Sequence, residues 1–470
     1  MKGIIYRALP YSLSLFVYLF IYGWVALRGS FDYAAVEYLY QSLGSEALTK
    51  EPIQSLLTSH IQPIGLNAVY ALVLNGPFNS SATLQTVFAI AGALTVFLIV
   101  ATLRNIGQSQ LVAGTAGVLY ALLPSTVLYV MWPYNTSMVA FLSALGFFGL
   151  SLMRHRPSLG AVIWTTSLIG LFLVRPSFVW IVVLILLIVP IFLIKQWRQA
   201  SLIAIASFGF LVIVVVQGHH SIQFGTVTTT SWSGQNIVKG LVFSGVVTEA
   251  DLVEAANEDP CLVSLAIDPE FWGDLSNVDV QCFGSRAGME SEAIALRKET
   301  KLDAINFQHN SLKRLELSQA WNELALRVMQ QDPLLLPKMF FGVGGGPSSF
   351  ERMMEPSFIH PILQENLVAG SPVMSIMRPI GVMFPVGSLV LMLLGLLALL
   401  QGRFRDEFSK RIFFVAMAVS AYGLLVASLL EFGENQRFLV EIYPILMISA
   451  AMTVGLLLQR NNSERKFVPI

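Results

Sequence analysis

The chain alternates between long apolar runs and short polar breaks. Ala8 to Leu27 is apolar and follows Lys2 and Arg7, which predicts an uncleaved first membrane span. Comparable runs recur at about Leu84–Leu103, Leu111–Val130, Met138–Met153, Leu159–Val174, Phe178–Ile194 and Leu202–Val216. Three more close the chain, at about Ile380–Leu400, Ile412–Leu430 and Leu439–Leu458. The runs are continuously apolar rather than alternating, so helices are the expected spanning form. Gly29 to about His60 is polar, with Asp32, Glu37, Glu46, Lys50 and Glu51, and predicts a loop or surface helix. Gln62–Leu74 is short and broken by Pro63 and Gly65, the pattern of an interfacial helix.

Between Leu202–Val216 and Ile380–Leu400 the pattern changes. Residues 218–372 are polar and read as one separate domain of mixed helical character. Helical periodicity appears at Ala287–Asn306 and again at Leu312–Gln331, where Leu317, Trp321, Leu324 and Val328 form a stripe. Gly344, Gly345 and Gly346 lie in a Gly/Pro/Ser turn. No Gly-Lys-Ser/Thr follows them, so they are not a phosphate loop. The expected organisation is an N-terminal membrane module at 1–217 with a loop at 29–82, the polar domain, and a C-terminal membrane module at 373–470. The fold class is therefore a mainly α, polytopic membrane protein of about ten spans.

Composition agrees with the pattern and adds direction. Hydrophobic residues make up 55% and charged residues 12% of the chain, about half the charge of a soluble domain. The net charge of zero argues against a nucleic-acid partner. Lys2 and Arg7, Arg104, Arg154 and Arg156, Lys195 and Arg198, Arg403 to Arg411, and Arg460 to Lys466 all fall on one side if there are ten spans. That side is expected to be cytoplasmic and to hold both termini. The polar domain, with 19 acids against 10 bases, then lies outside, as in a bacterial plasma membrane. It carries both cysteines, Cys261 and Cys282. An oxidising compartment would let them pair, closing a loop of about 20 residues worth roughly 3 kcal/mol.

The middles of nearly all the spans lack ionisable side chains, unlike a charge-moving transporter. The exceptions gather at the outer ends: Asp32, Glu37, His60, Arg175, Arg378, and the group Glu431, Glu434, Arg437 and Glu441. Together they would line one outward cavity beside lipid phosphates. The adjacent His219 and His220 point to different faces and read as interfacial rather than as a zinc pair.

Four segments carry a resemblance. Ser30-Phe31-Asp32-Tyr33, with Glu37 and Tyr38, follows the first span. Ser59-His60-Ile61-Gln62-Pro63 and Val174-Arg175-Pro176-Ser177 lie at outer ends. Glu434-Asn435-Gln436-Arg437-Phe438 leads through Tyr443-Pro444 into the last span. In this order they resemble the polyprenyl-phosphate-sugar-dependent glycosyltransferases of the GT-C fold, the class of protein O-mannosyltransferases and aminoarabinose transferases. The stretch with Thr229, Ser231, Gly234, Asn236 and Gly240 is similar to a Ser/Asn/Gly stretch of bacterial members. Gln62 stands where the family keeps a second proline, and Tyr33 where it keeps a second acid.

The resemblance implies sugar transfer from a polyprenyl-phosphate donor to a hydroxyl of a glycan, lipid or protein, with inversion. Asp32 is the expected base, with Glu37 as a second acid. Arg437 is the expected phosphate clamp, because its fork matches phosphate oxygens, with Arg378, Arg175 and His60 in support. Tyr33, Asn236 and Glu434 would line the substrate. A divalent cation at Asp32 and Glu37 stays open, as does the N-cap of a following helix for Asp32. Two other functions stay open: a flippase or transporter of lipid-linked saccharides, and a membrane assembly protein without catalysis.

Overall fold

The computed structural model describes residues 2–39, 42–194, 200–225, 230, 233–257, 259, 262–263, 266, 310, 312–343, 372–404, 406–429 and 435–464. The regular structure among these residues is helical, with no strand. In chain order the helices are α1 (Lys2–Ala26), α2 (Ala35–Tyr38), α3 (Gly44–Lys50), α4 (Pro52–Leu57), α5 (Gly65–Leu74), α6 (Ser80–Asn105) and α7 (Gln110–Ala121). Next come α8 (Pro124–Leu128), α9 (Asn135–Leu152), α10 (Pro157–Val174), α11 (Trp180–Leu187), α12 (Val189–Ile194) and α13 (Ala200–Phe224). The polar domain contributes α14 (Ser233–Phe243), α15 (Glu249–Ala256), α16 (Leu312–Gln331) and α17 (Leu335–Phe341). The chain closes with α18 (Pro372–Leu400), α19 (Glu407–Leu429) and α20 (Asn435–Glu464).

Eight of these, namely α1, α6, α9, α10, α13, α18, α19 and α20, are long and apolar enough to cross a bilayer. The chain is a helical, multi-pass membrane protein. Two predicted spans are interrupted. The run Leu111–Val130 breaks after Ala121, because Leu123 turns to extended backbone before Pro124. The run Phe178–Ile194 breaks at Ile188, two residues before Pro190, which has no N–H to give. In the other direction, α13 continues past residue 217 to Phe224 and carries His219 and His220 on its last turns.

Burial explains the arrangement of the bundle. The last helix is apolar on all sides, and 89% of its spanning window is buried, so α20 is the central post. Against it pack α9, α18 and α19. By contrast α1, α13 and α18 bury under a third of their windows and form the apolar periphery. Helices α9 and α10 make a tight antiparallel hairpin. A Cβ on Gly160 would lie 2.5 Å from the Gly149 carbonyl oxygen, so the backbones meet where side chains are missing.

The polar domain has its own core. The predicted helix Leu312–Gln331 forms with those bounds. Its stripe of Leu317, Trp321, Leu324 and Val328 is buried against α14 and α15. Thr248 and Asp251 close a capping box at the start of α15. Hydrogen bonds from the Thr248 hydroxyl and backbone hold the Asp251 carboxyl below its usual range. The predicted helix Ala287–Asn306, the glycines 344–346, and Cys261 and Cys282 lie outside the described residues.

Candidate functional site

Asp32 sits just beyond the end of α1. Its backbone N–H donates to the Met131 carbonyl at 3.0 Å. Met131 belongs to an irregular, buried stretch between α8 and α9, from Tyr129 to Tyr134. Pro133 interrupts any helix there, and the Trp132 and Tyr134 rings stack with centroids 4.4 Å apart. The Tyr70 hydroxyl of α5 donates to the Pro133 carbonyl, tying a second helix to the same stretch. Irregular backbone at this depth is tolerated where protein encloses it or where it lines a cavity. Asp32 is not a helix N-cap: α2 begins at Ala35, its N-cap is Ala34, and no side chain caps it. Tyr33 packs its ring on the small apolar core of Val36, Leu48, Leu66 and Phe88.

Glu37 has a structural partner. Both its carboxylate oxygens lie 3.3 Å from the Ser45 N–H in the first turn of α3. An anion at a helix N-terminus satisfies otherwise unpaired donors. These contacts tie Glu37, on α2, to the start of α3. Among the described residues no group of three His, Cys, Asp or Glu gathers that could hold a metal ion.

His60 is fully buried where the first loop meets the polar domain. Asn310 clamps that loop. Its side-chain oxygen accepts from the N–H of His60 at 2.8 Å and of Ile61 at 3.2 Å, and its amide donates to the Thr58 carbonyl at 3.1 Å. Thr230 donates to the Ile61 carbonyl at 2.6 Å, and a ring nitrogen of His219 lies 3.2 Å from the Leu57 carbonyl. The Phe224 ring lies between those of His60 and His220, at 5.5 and 4.8 Å. His219 and His220 thus serve this junction. Asn236 lies half-buried on α14, two residues after Gly234, whose backbone presses on Asn322 of α16.

Arg175 follows the last residue of α10 and is fully buried. Its Nε donates to Glu441 on α20, with the two carboxylate oxygens 3.1 and 3.2 Å away. The Phe438 ring covers the guanidinium face, 3.8 Å from its centre. Both terminal nitrogens, Nη1 and Nη2, are buried without a hydrogen-bond partner among the described residues. The structure therefore brings together two members of the expected outer-end group. Glu441 holds one edge of the fork, and the other edge, of the kind that grips oxyanions bidentately, has no hydrogen-bond partner among the described residues.

Other buried polar atoms share this end of the bundle. Among the described residues, the side-chain oxygens of Gln62, Ser125, Asn135 and Thr136 also have no hydrogen-bond partner. Asn135 and Thr136 open α9, whose antiparallel neighbour α10 ends at Arg175, so both stand at one end of the hairpin. Gly65 at the start of α5 fits against the same place: a Cβ there would lie 2.6 Å from the Leu173 carbonyl oxygen. Buried polar groups are normally paired, so several unpaired ones at one end mark a place for a polar ligand.

Compared with models of known protein families the chain matches none, and no curated protein matches it. The assignment therefore rests on the residues themselves. Arg378 lies in the second turn of α18 and Arg437 in the first turn of α20, with their side chains outside the described set. Glu434 lies outside it entirely. The sequence places Glu441 in the outer-end group without naming Arg175 as its partner, and it assigns no role to Asn310 or the Tyr129–Tyr134 stretch. The one sequence signal for that stretch was its aromatic and polar residues around Pro133, at the end of an apolar run.

Proposed function

We propose that the chain is a membrane glycosyltransferase that moves a sugar from a polyprenyl-phosphate donor to a hydroxyl acceptor on the far side of the membrane. The observation that carries this reading is the Arg175 fork. It is fully buried, positioned through Nε by Glu441, and has Nη1 and Nη2 unpaired. A guanidinium so placed suits a departing phosphate, whose negative charge grows as the glycosidic bond breaks. Asp32, pinned by its backbone to the Met131 stretch at the same end, supplies the base. Its carboxylate takes the acceptor proton while the acceptor oxygen bonds to the anomeric carbon. The carbon–oxygen bond to phosphate breaks, its electron pair leaves with the polyprenyl phosphate, and the anomeric centre inverts. Enclosure beneath the polar domain, through the Asn310 clamp, would limit hydrolysis of the donor.

In this reading the chain crosses ten times: the eight long helices plus the interrupted segments α7–α8 and α11–α12. Both termini lie in the cytoplasm. The test is transfer by the purified chain in vesicles, using a panel of polyprenyl-phosphate sugars with glycan, lipid and protein acceptors. Wild-type protein should release polyprenyl phosphate in step with product. Asp32→Asn should lower transfer by about 10²-fold or more, the usual contribution of a general base, while keeping donor binding. Wild-type turnover in that variant removes Asp32 from the mechanism. No transfer from any donor, together with movement of lipid-linked saccharide across vesicles, favours a transporter.

A further inference from the structure

At the end of the bundle away from the polar domain, α12, α18 and α19 leave a groove of about 320 Å³ between them. Val189, Phe192, Leu399 and Phe414 form apolar walls, and Lys410 and Arg411 stand at its rim. The Phe192 and Phe414 side chains are more than half exposed, so the groove opens sideways, where acyl chains would lie.

The rim is built rather than incidental. Arg411 is held in place by donating to the Phe192 and Leu193 carbonyls at 2.8 and 3.1 Å, which close the end of α12. Its Nε lies 3.5 Å from Glu407, and the Lys410 ammonium lies 3.6 Å from the same carboxylate. Glu407 is largely exposed and is shared between two cations. Asp406, the other nearby acid, is engaged by Arg154 at 3.0 Å and by the Ser409 backbone and hydroxyl. In the sequence, residues 195–198, which follow α12, and 403–411, which lead into α19, carry six basic residues against two acids. The cationic excess thus meets an apolar slot at one rim.

We propose that this groove binds an anionic phospholipid, with an acyl chain along the apolar walls and the headgroup phosphate at Lys410 and Arg411. Basic pockets between membrane helices recognise such headgroups through charge, while the slot supplies the hydrophobic contact. The inference is independent of the transferase reading, since it uses no residue of the Arg175 end.

The full chain in neutral detergent should be loaded with phosphatidylglycerol or phosphatidylcholine and its bound lipid counted by native mass spectrometry. Phosphatidylglycerol should be retained preferentially. Lys410→Gln should cut the preference about fivefold, the attraction expected from one surface cation. Val415→Trp, on the groove wall, should abolish retention of the lipid without changing charge. Lys50→Gln, an exposed residue of α3, should leave the preference unchanged. Unaltered preference in Lys410→Gln overturns the proposal, whether or not the tryptophan variant folds. Glycerol phosphate alone competing as well as the intact lipid also overturns it, because the slot would then play no part.

Discussion

Removing either partner of the Arg175–Glu441 pair should be costly, and removing both should not. The two groups are 0% and 3% exposed and lie 3.1 Å apart, so Glu441 directly compensates the buried Arg175 charge. Glu441→Leu strands the buried Arg175 charge, and Arg175→Met takes a buried ion-pair partner from Glu441; breaking such a pair from one side costs about 3–5 kcal/mol. The arginine variant also loses the contact over Phe438, worth up to about 2 kcal/mol when desolvated. The double variant replaces the pair by apolar side chains of similar size and should fall within about 1 kcal/mol of wild type. The two single costs would then fail to add by several kcal/mol, the signature of direct coupling. Equilibrium unfolding in mixed micelles, followed by tryptophan fluorescence, measures all four corners of the cycle. Single variants each costing under about 1 kcal/mol, or a double variant equal to their sum, would refute the reasoning. Sugar transfer separates structure from function: the double variant should be stable yet inactive. Stable and fully active protein would make Arg175 structural only.

Other consequences are smaller in scope. Gly65→Val places a side chain 2.6 Å from the Leu173 carbonyl oxygen, so α5 must shift, at about 1–3 kcal/mol by the same unfolding assay. Asn310→Ala leaves the buried N–H groups of His60 and Ile61 without their acceptor, and faster amide exchange across residues 58–62 should report a loss of about 1–3 kcal/mol. Because the Asp251 carboxyl is held below its usual range in the folded chain, its contribution is present above about pH 4 and is lost as pH falls through the depressed value. Thr248→Ala keeps the backbone N–H but loses the hydroxyl, so it should weaken that acid dependence, read as amide exchange in α15 across the same pH range.

The alternation of apolar and polar runs located every long helix, because a bilayer demands continuous apolar length and little else competes with that demand. It overran at Leu122 and Ile188, where Pro124 and Pro190 acted on the backbone within runs whose hydropathy did not change. The Leu317–Val328 stripe was legible for the same reason in reverse, since a soluble helix must show its buried face as a period. The site was less legible. Asp32 and Arg175 stood out as charges at span ends, but the partner of Arg175 lies 266 residues away. Glu37 reads in the sequence as a second site acid, and its contacts with the Ser45 N–H of α3 become visible only in the fold. Asn310 gave no signal, because an asparagine in a polar domain is ordinary until its two hydrogen-bonding faces meet a loop.

A structure of the chain with bound polyprenyl phosphate decides where the donor is held. Phosphate oxygens should lie within about 3 Å of Arg175 Nη1 and Nη2, with Glu441 still on Nε and Asp32 facing the same space. A phosphate held instead at Arg378 or Arg437, with the Arg175 fork closed off by protein, would contradict that placement.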